Sequence, residues 1–405
     1  MSGSAAQPGS NLHDALPLLR ARLAAQSDRP LPDAFGLAGK EARDLFSTEL
    51  RGMHLTAEVY AAHCALALLL DLGLEPRLRE GASLEDLMTG FAAQGRLPLA
   101  WMLDLLVDEG ILCLEGDRYR LAGPAHPQLE AIRAFAEEVA PGQGINLDLL
   151  DAVRRQIPPF FTEGKAGEAL LFSLTLLPLW QAYFDNHNAI YRPNNLLPML
   201  ALEHARKPGM RVLELGGGAG SFARLLGQRW GAEGRLGEVA EYRFTDVAPN
   251  FLRKAQRELP GELPELHFAF QPFDLNRDPA EQKLAGATFD AILGVNVLHV
   301  AKDLGATLRH LKGLLAPGGR LIVGECLKPD LDHPIYIEFL FNYLHAFTDV
   351  ELNPEWRPRH GFLTPECWVA ALEAAGFSDV QEFPPTRKLM DHFPGFNVGA
   401  FSARA

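Results

Sequence analysis

The chain has 405 residues, enough for two or three domains, and its 47% apolar and 22% charged residues can build a large core. A formal net charge of −13 argues against a general nucleic-acid binder, because neutralising phosphates requires a basic surface. Cys64, Cys113, Cys326 and Cys367 are scattered, with no C-x-x-C pair, which excludes a zinc ribbon or disulfide framework and fits a reducing, cytoplasmic compartment.

Residues 1–35 read as a disordered or helical arm. Met1–Ser10 lacks the charged start and apolar core of a signal peptide, and a short helix is expected over Leu12–Gln26. No apolar run approaches the ~20 residues of a membrane span. The run at Ala65–Leu70 stops at Asp71, and Leu170–Trp180 is broken by Ser173, Thr175 and Pro178. No membrane partner is expected.

Residues 36–125 read as three helices and a hairpin. The first helix runs from Thr56 to Leu74, ended by Gly73 and Pro76. Ser83 caps the second, Leu84–Gln94, with Asp86 at the capping-box position. The third runs from Pro98 to Glu109, and Ile111–Leu114 and Tyr119–Leu121 flank the turn Glu115-Gly116-Asp117. This is a winged-helix pattern. Its third helix carries Asp104, Asp108 and Glu109 and no Lys or Arg, whereas reading a DNA groove needs cations or amides. No nucleic-acid partner is expected.

Residues 126–205 read as a helical linker. Trp180, Tyr183, Phe184, His187, Asn188 and Tyr191 fall at helical spacing. They describe either a packed connecting helix or a lid that turns Tyr183, His187 and Tyr191 toward a ligand.

Residues 206–405 begin with the stretch that organises the rest, Val212–Phe222. An apolar strand through Leu215 runs into Gly216, Gly218 and Gly220, and a helix follows from Ser221. The glycine spacing is not that of a dinucleotide site, since Ser221 stands where the third glycine would be. Tyr242–Thr245 reads as a second strand ending at Asp246, an acid able to accept both hydroxyls of a ribose. Leu266–Phe273 is a third strand, followed by Asp274, which could accept from an adenine amine while Leu275 packs on the ring. Thr288–Val295 is the fourth, leading to Asn296 and His299, and Arg320–Gly324 the fifth, ending in Glu325. Ile335–Phe347 is an aromatic-rich helix containing Phe339 and Tyr343, both candidates for lining a substrate pocket. Thr364 caps a helix to Ala375, and Val380–Phe383 and Val398–Ala403 complete seven strands. The expected fold is α/β, a doubly wound sheet behind a helical N-terminal domain. His187, His333, His345 and His360 lack metal-ligand spacing, so no metal is expected.

Glu214-x-Gly216-x-Gly218-x-Gly220 resembles the first motif of class I S-adenosylmethionine-dependent methyltransferases. Tyr242–Leu252, Asp274–Gln282 and Asn296–Leu304 look like the C-methyltransferase domains of polyketide synthases. Leu321–Pro329 and the winged helix are similar to small-molecule O-methyltransferases. The resemblance implies a Rossmann-like sheet, S-adenosylmethionine as cofactor, and cofactor contacts from Glu214, Gly216, Gly218, Gly220, Asp246, Asp274, Leu275 and Asn296. It also implies a catalytic pair, His299 as base and Glu325 as its orienting acid, 26 residues apart on neighbouring strand ends. A winged-helix domain of this kind implies a homodimer. The expected substrate is a small molecule or a carrier-protein-bound intermediate of natural-product metabolism, methylated on an activated carbon. O-methylation of a phenol or acid is the runner-up, and a cofactor-binding cyclase or regulator that transfers no methyl group is the third reading.

Overall fold

The structure, a computed structural model, describes residues 15–27, 45–284 and 286–405. The rest of the expected arm lies outside the described residues; the helix expected over 12–26 is seen as Ala15–Ser27. The described residues form two compact units. The first comprises 15–27, Thr48–Leu171 and Pro334–Leu340; the second comprises 45–47, Phe172–His333 apart from residue 285, and Phe341–Ala405. The 126–205 stretch is thus divided between them at Leu171.

The first unit is built on the helix Thr48–Asp71, which starts eight residues before the expected Thr56. It is apolar on nearly every side, as a helix at the centre of a core must be. By length and composition it could cross a membrane, but its apolar window is 89% buried inside the fold. Helices Ala15–Ser27, Arg96–Asp108, Leu129–Val139 and Ile145–Gln156 pack around it. The expected capping box is present: Ser83 Oγ accepts the Asp86 N–H at 3.1 Å, and Asp86 Oδ2 accepts the Ser83 N–H at 3.1 Å. That helix stops at Met88 rather than Gln94, because Gly90 adopts φ +93°. Strand β1 (Ala82–Ser83) pairs with the second strand of a hairpin, β2 (Leu112–Glu115) and β3 (Arg118–Leu121), in the order β1-β3-β2.

The second unit contains a seven-stranded sheet of β4 (Met210–Leu215), β5 (Val239–Asp246), β6 (Phe268–Pro272), β7 (Phe289–Val295), β8 (Leu315–Cys326), β9 (Ser378–Phe383) and β10 (Val398–Arg404). Their order is β6-β5-β4-β7-β8-β10-β9. The first five are parallel and β10 is antiparallel to both neighbours. Along β4, Val212 joins one core layer and Leu213 the other, so the sheet is covered on both faces. Chain order reverses between β4 and β7, which opens a crevice at the carboxyl ends of these strands.

Two expected helices are broken. The Trp180–Leu200 stretch is a short helix, Leu177–Tyr183, an irregular run over 184–191, and a second helix, Arg192–Ala205. Pro193 in the first turn of the second helix suits a helix start and not a helix interior. Ile335–Phe347 holds only two single turns, Glu338–Phe341 and His345–Thr348. Its aromatic residues serve two cores: Phe339 packs 6.1 Å from Trp101 in the first unit, while Phe341 and Phe347 pack together in the second. A single helical face cannot do both. Within the first unit, buried Glu338 fixes the inserted segment by accepting from Trp101 Nε1 at 2.7 Å and the Ile335 N–H at 3.1 Å.

Replacing Ser83 by Ala is expected to destabilise the first unit by about 1 kcal/mol. A urea titration followed by circular dichroism reads this as a lower midpoint; an unmoved midpoint would show that the box contributes nothing.

Candidate active site

The glycine turn after β4 puts Gly216, Gly218 and Gly220 at φ +56°, +52° and +80°, a region that side chains disfavour. A Cβ on Gly216 would stand 2.5 Å from Val297 Cγ2, and one on Gly217 would stand 2.3 Å from Phe244. At Gly218 it would meet only the Gly216 carbonyl at 3.8 Å, so this side of the turn opens into free space. The turn is tied to β5: Gly217 N–H donates to Thr245 O and Gly218 N–H to Asp246 Oδ2, both at 2.8 Å. Helix Ser221–Ala232 then starts without a side-chain cap, leaving its first N–H groups to a ligand or water.

Three acids flank this turn. Glu214 is buried within the sheet and accepts the Tyr242 hydroxyl at 2.8 Å. Burial pushes its carboxyl up to about 8; the Tyr242 hydrogen bond opposes this and the Asp246 charge adds to it. Asp246 closes β5, with Oδ2 accepting from Gly218 and Oδ1 accepting the Ala248 N–H at 2.7 Å. Burial raises its pKa against those two hydrogen bonds. Each oxygen keeps a lone pair for a further donor. Asp274 follows β6, where its Oδ1 accepts the Asn276 N–H at 2.9 Å and Gln282 brackets its backbone at 2.7 and 2.9 Å. Leu275 beside it is partly buried. Sequence reasoning passed over Val247, which stands 66% exposed directly after Asp246. Its only signal was an apolar residue placed just past the acid of a strand end.

Beyond β7, Asn296 adopts φ +49°. Its Oδ1 accepts the Cys326 N–H and its Nδ2 donates to Asn194 Oδ1, both at 2.8 Å. It therefore bonds two protein elements together. A single 3₁₀ turn, Leu298–Val300, carries His299. Glu325 at the end of β8 is completely buried and lies 2.7 Å from His299 Nδ1 through Oε2. Its Oε1 accepts the Leu298 and His299 N–H groups at 2.9 and 3.3 Å. A carboxylate on Nδ1 fixes the hydrogen there and leaves the Nε2 lone pair outward. Among the described residues no group hydrogen-bonds Nε2. Phe362 and Phe347 stand 4.7 and 5.7 Å from the imidazole, centroid to centroid.

An aromatic chain continues from there. Phe362 and Phe347 contact Phe341, which lies 5.7 Å from Trp180. Trp180 in turn meets Phe184 and Tyr183, and both contact Tyr191. Burial pushes the Tyr191 phenol well up, opposed by a hydrogen bond with Asn296. Tyr183 and Tyr191 therefore join the wall that reaches His299. His187 does not: its side chain is 99% exposed and pairs with Asp185. The irregular run over 184–191 breaks the helical phase that had grouped it with the aromatics. Tyr343 is buried in the second unit, and Phe339 belongs to the core of the first.

A parallel sheet with this switch point, a glycine turn after its first strand and acids closing the next two form a crevice suited to a nucleoside-bearing ligand at the strand ends. Residues 213–321 match the family model described as "Methyltransferase domain". The polyketide synthase ThaG of Burkholderia thailandensis is 30% identical over 247 residues, 59% of this chain; the chain spans 4% of that relative's length. The solved CurJ carbon methyltransferase superposes with a TM-score of 0.72 at 20% identity, covering 96% of each chain. The DszA carbon methyltransferase does so with 0.72 at 23%, covering 98% of each. The protein is an S-adenosylmethionine-dependent methyltransferase related to the C-methyltransferase domains of polyketide synthases.

A carboxyl held at about 8 binds a proton in the folded state that the unfolded chain releases near its ordinary value, so stability falls as pH rises between about 4.5 and 8. Glu214→Gln removes this dependence. Its melting temperature relative to wild type is expected to gain several degrees from pH 5 to pH 8 and to level off above. A constant offset across that window would show that Glu214 is ionised throughout.

Proposed function

We propose that the protein methylates an acidic carbon beside a carbonyl, in a small-molecule or carrier-bound acyl intermediate of natural-product metabolism. The observation that carries this reading is the buried His299–Glu325 pair at the ends of adjacent strands, with β7 also next to the glycine-turn strand. S-adenosylmethionine, when bound, would supply an electrophilic methyl group for in-line displacement, the S–CH3 electron pair staying on sulfur as the neutral thioether leaves. The residues present fit that cofactor. The open side of Gly218 admits its amino-acid end, and the spare lone pairs of Asp246 match two ribose hydroxyls. Val247 and Leu275 offer apolar cover for adenine, beside Asp274. Glu214 ties the strand before the turn to Tyr242 on β5, and Asn296 ties the end of β7 to Cys326 on β8.

His299 takes the substrate proton at Nε2, leaving the C–H electron pair on carbon to form the new bond to methyl. Glu325 keeps Nδ1 protonated and stabilises the imidazolium that results. Phe341, Phe347 and Phe362 exclude water from this transfer and present an apolar surface to an acyl chain. Fixing the base against the carbon acid supplies orientation that free reactants lack.

Substrates incubated with methyl-¹³C-labelled S-adenosylmethionine are expected to show the label on carbon by NMR. Label on oxygen in every accepted substrate would overturn the carbon reading. His299→Ala is expected to lower kcat by at least about 100-fold while calorimetric cofactor affinity stays unchanged; undiminished turnover would eliminate the pair.

The N-terminal helices and hairpin support a winged-helix pairing domain. The long apolar helix is already covered within its own unit, so the proposed homodimer interface uses the exposed Leu97 and Leu114 instead. Four unpaired cysteines, three of them buried, suit a cytoplasmic enzyme. Light scattering at micromolar concentration is expected to give twice the chain mass, and Leu97→Glu with Leu114→Glu to halve it. A monomeric wild type would remove the pairing.

A further inference from the structure

The turn that bears His299 is held from two directions. Its N–H groups at Leu298 and His299 donate to Glu325. The carbonyls of His299 and Ala301 accept from Arg357, through Nη2 at 2.5 Å and Nη1 at 2.6 Å. Arg357 is as completely buried as Glu325, and its Nε has no hydrogen-bond partner among the described residues. Two neutral carbonyls are poor compensation for removing a guanidinium from water. The compensating charge is Glu325, which acts on Arg357 across the turn, with Asp303 adding to it. Burial pulls Arg357 down to about 10, so it remains a cation at neutral pH.

The loop that supplies Arg357 is itself fixed. Its N–H donates to Asn353 O at 2.8 Å, and its carbonyl accepts the Asn353 N–H at 2.9 Å. Asn353 Oδ1 accepts the Glu355 and Trp356 N–H groups inside the loop, at 2.9 and 3.3 Å. Arg357 therefore reaches the turn from a closed hairpin-like bend.

We propose, resting on the assignment of His299 as the base, that Arg357 is its positioning residue: it fixes the aim of the imidazole and sets a buried cation against a second proton on the ring. The sign follows from the charges. Glu325 and Arg357 sum to zero, so a proton on His299 brings the buried group to +1. With a neutral side chain at 357 the same proton takes it from −1 to zero, and His299 holds it more readily. The other charged groups facing the turn are Asp303 at the start of the next helix and, from the His345–Thr348 turn, His345 with the Lys302–Asp349 pair. Those last three are about half exposed or more and are screened by solvent.

Arg357→Lys keeps the charge and loses the fork; Arg357→Gln loses both. In the full chain, both variants are expected to bind S-adenosylmethionine as wild type does by calorimetry and to lose kcat by roughly tenfold or more. The acid limb of the kcat/KM profile is expected to stay in place for the lysine variant and to move up by about one pH unit for the glutamine variant. The His299 ¹³Cε1 titration, identified by its absence in His299→Gln, should move with it. Wild-type kcat in both variants, an unmoved limb in Arg357→Gln, or loss of cofactor binding in Arg357→Lys would each overturn the proposal, the last by making Arg357 a core residue only. His299→Ala measured in parallel separates the two readings. If it turns over normally, the base assignment has failed; if it is inactive while both Arg357 variants behave as wild type, only the role of Arg357 has failed.

Discussion

The Glu325 carboxylate, sealed at the end of β8, is the group on which the arrangement of the second unit's site depends. A buried carboxylate without partners is costly, and this one is satisfied by three donors that all come from the turn beyond β7: two backbone N–H groups and the His299 ring. Those bonds dictate the path of the chain. To bring consecutive N–H groups onto one oxygen, the backbone bends sharply after β7, and Asn296 takes up a left-handed conformation at the bend. Burial of one acid thus sets the local fold, the tautomer of His299 and the direction of its second ring nitrogen together.

The same bend reaches the glycine turn. Val297, between Asn296 and the His299 turn, packs where a Cβ on Gly216 would stand, and also where one on Gly294 would stand. The glycine turn and the His299 turn are therefore fitted against one valine. A side chain at Gly216 would displace Val297, and with it the segment leading to His299. The glycine turn that is open at Gly218 serves, two residues earlier, as the packing surface for the loop that carries His299.

Much of this was legible in the sequence. All seven strands of the large sheet were expected, and the central parallel ones stand out as short apolar runs because strands covered on both faces have little polar alternation to blur them, whereas β9 is a polar edge strand. Glu214, Asp246, His299 and Glu325 stand out as candidates because each lies at or close to a strand end, where period and register narrow its position. What was not legible had its cause in tertiary structure. Helical spacing grouped His187 with Tyr183 and Tyr191, but the chain leaves the helix after Tyr183, so that phase no longer applies. Ile335–Phe347 has the composition of one helix, yet its aromatics belong to two cores. Arg357 gave no signal at all: its partners are backbone carbonyls, which have no sequence signature, and an arginine bound for the core looks like any surface arginine.

The asparagines explain how the aromatic wall keeps its place without a continuous helix beneath it. Asn186 Nδ2 donates to Ser221 O at 2.7 Å, in the first turn of the helix after the glycines, and Ser221 Oγ returns a bond to Phe184 O at 2.6 Å. Asn195 Nδ2 holds Asn186 Oδ1 at 2.9 Å, and Asn194 joins Asn296 at the end of β7. Aromatic packing alone fixes distance but tolerates rotation of rings and of the segment bearing them. Directional hydrogen bonds at both ends of 186–194 remove that freedom, because each amide must meet a particular carbonyl or amide at a particular angle. The wall is thereby registered to the glycine turn at one end and to the strand preceding the His299 turn at the other.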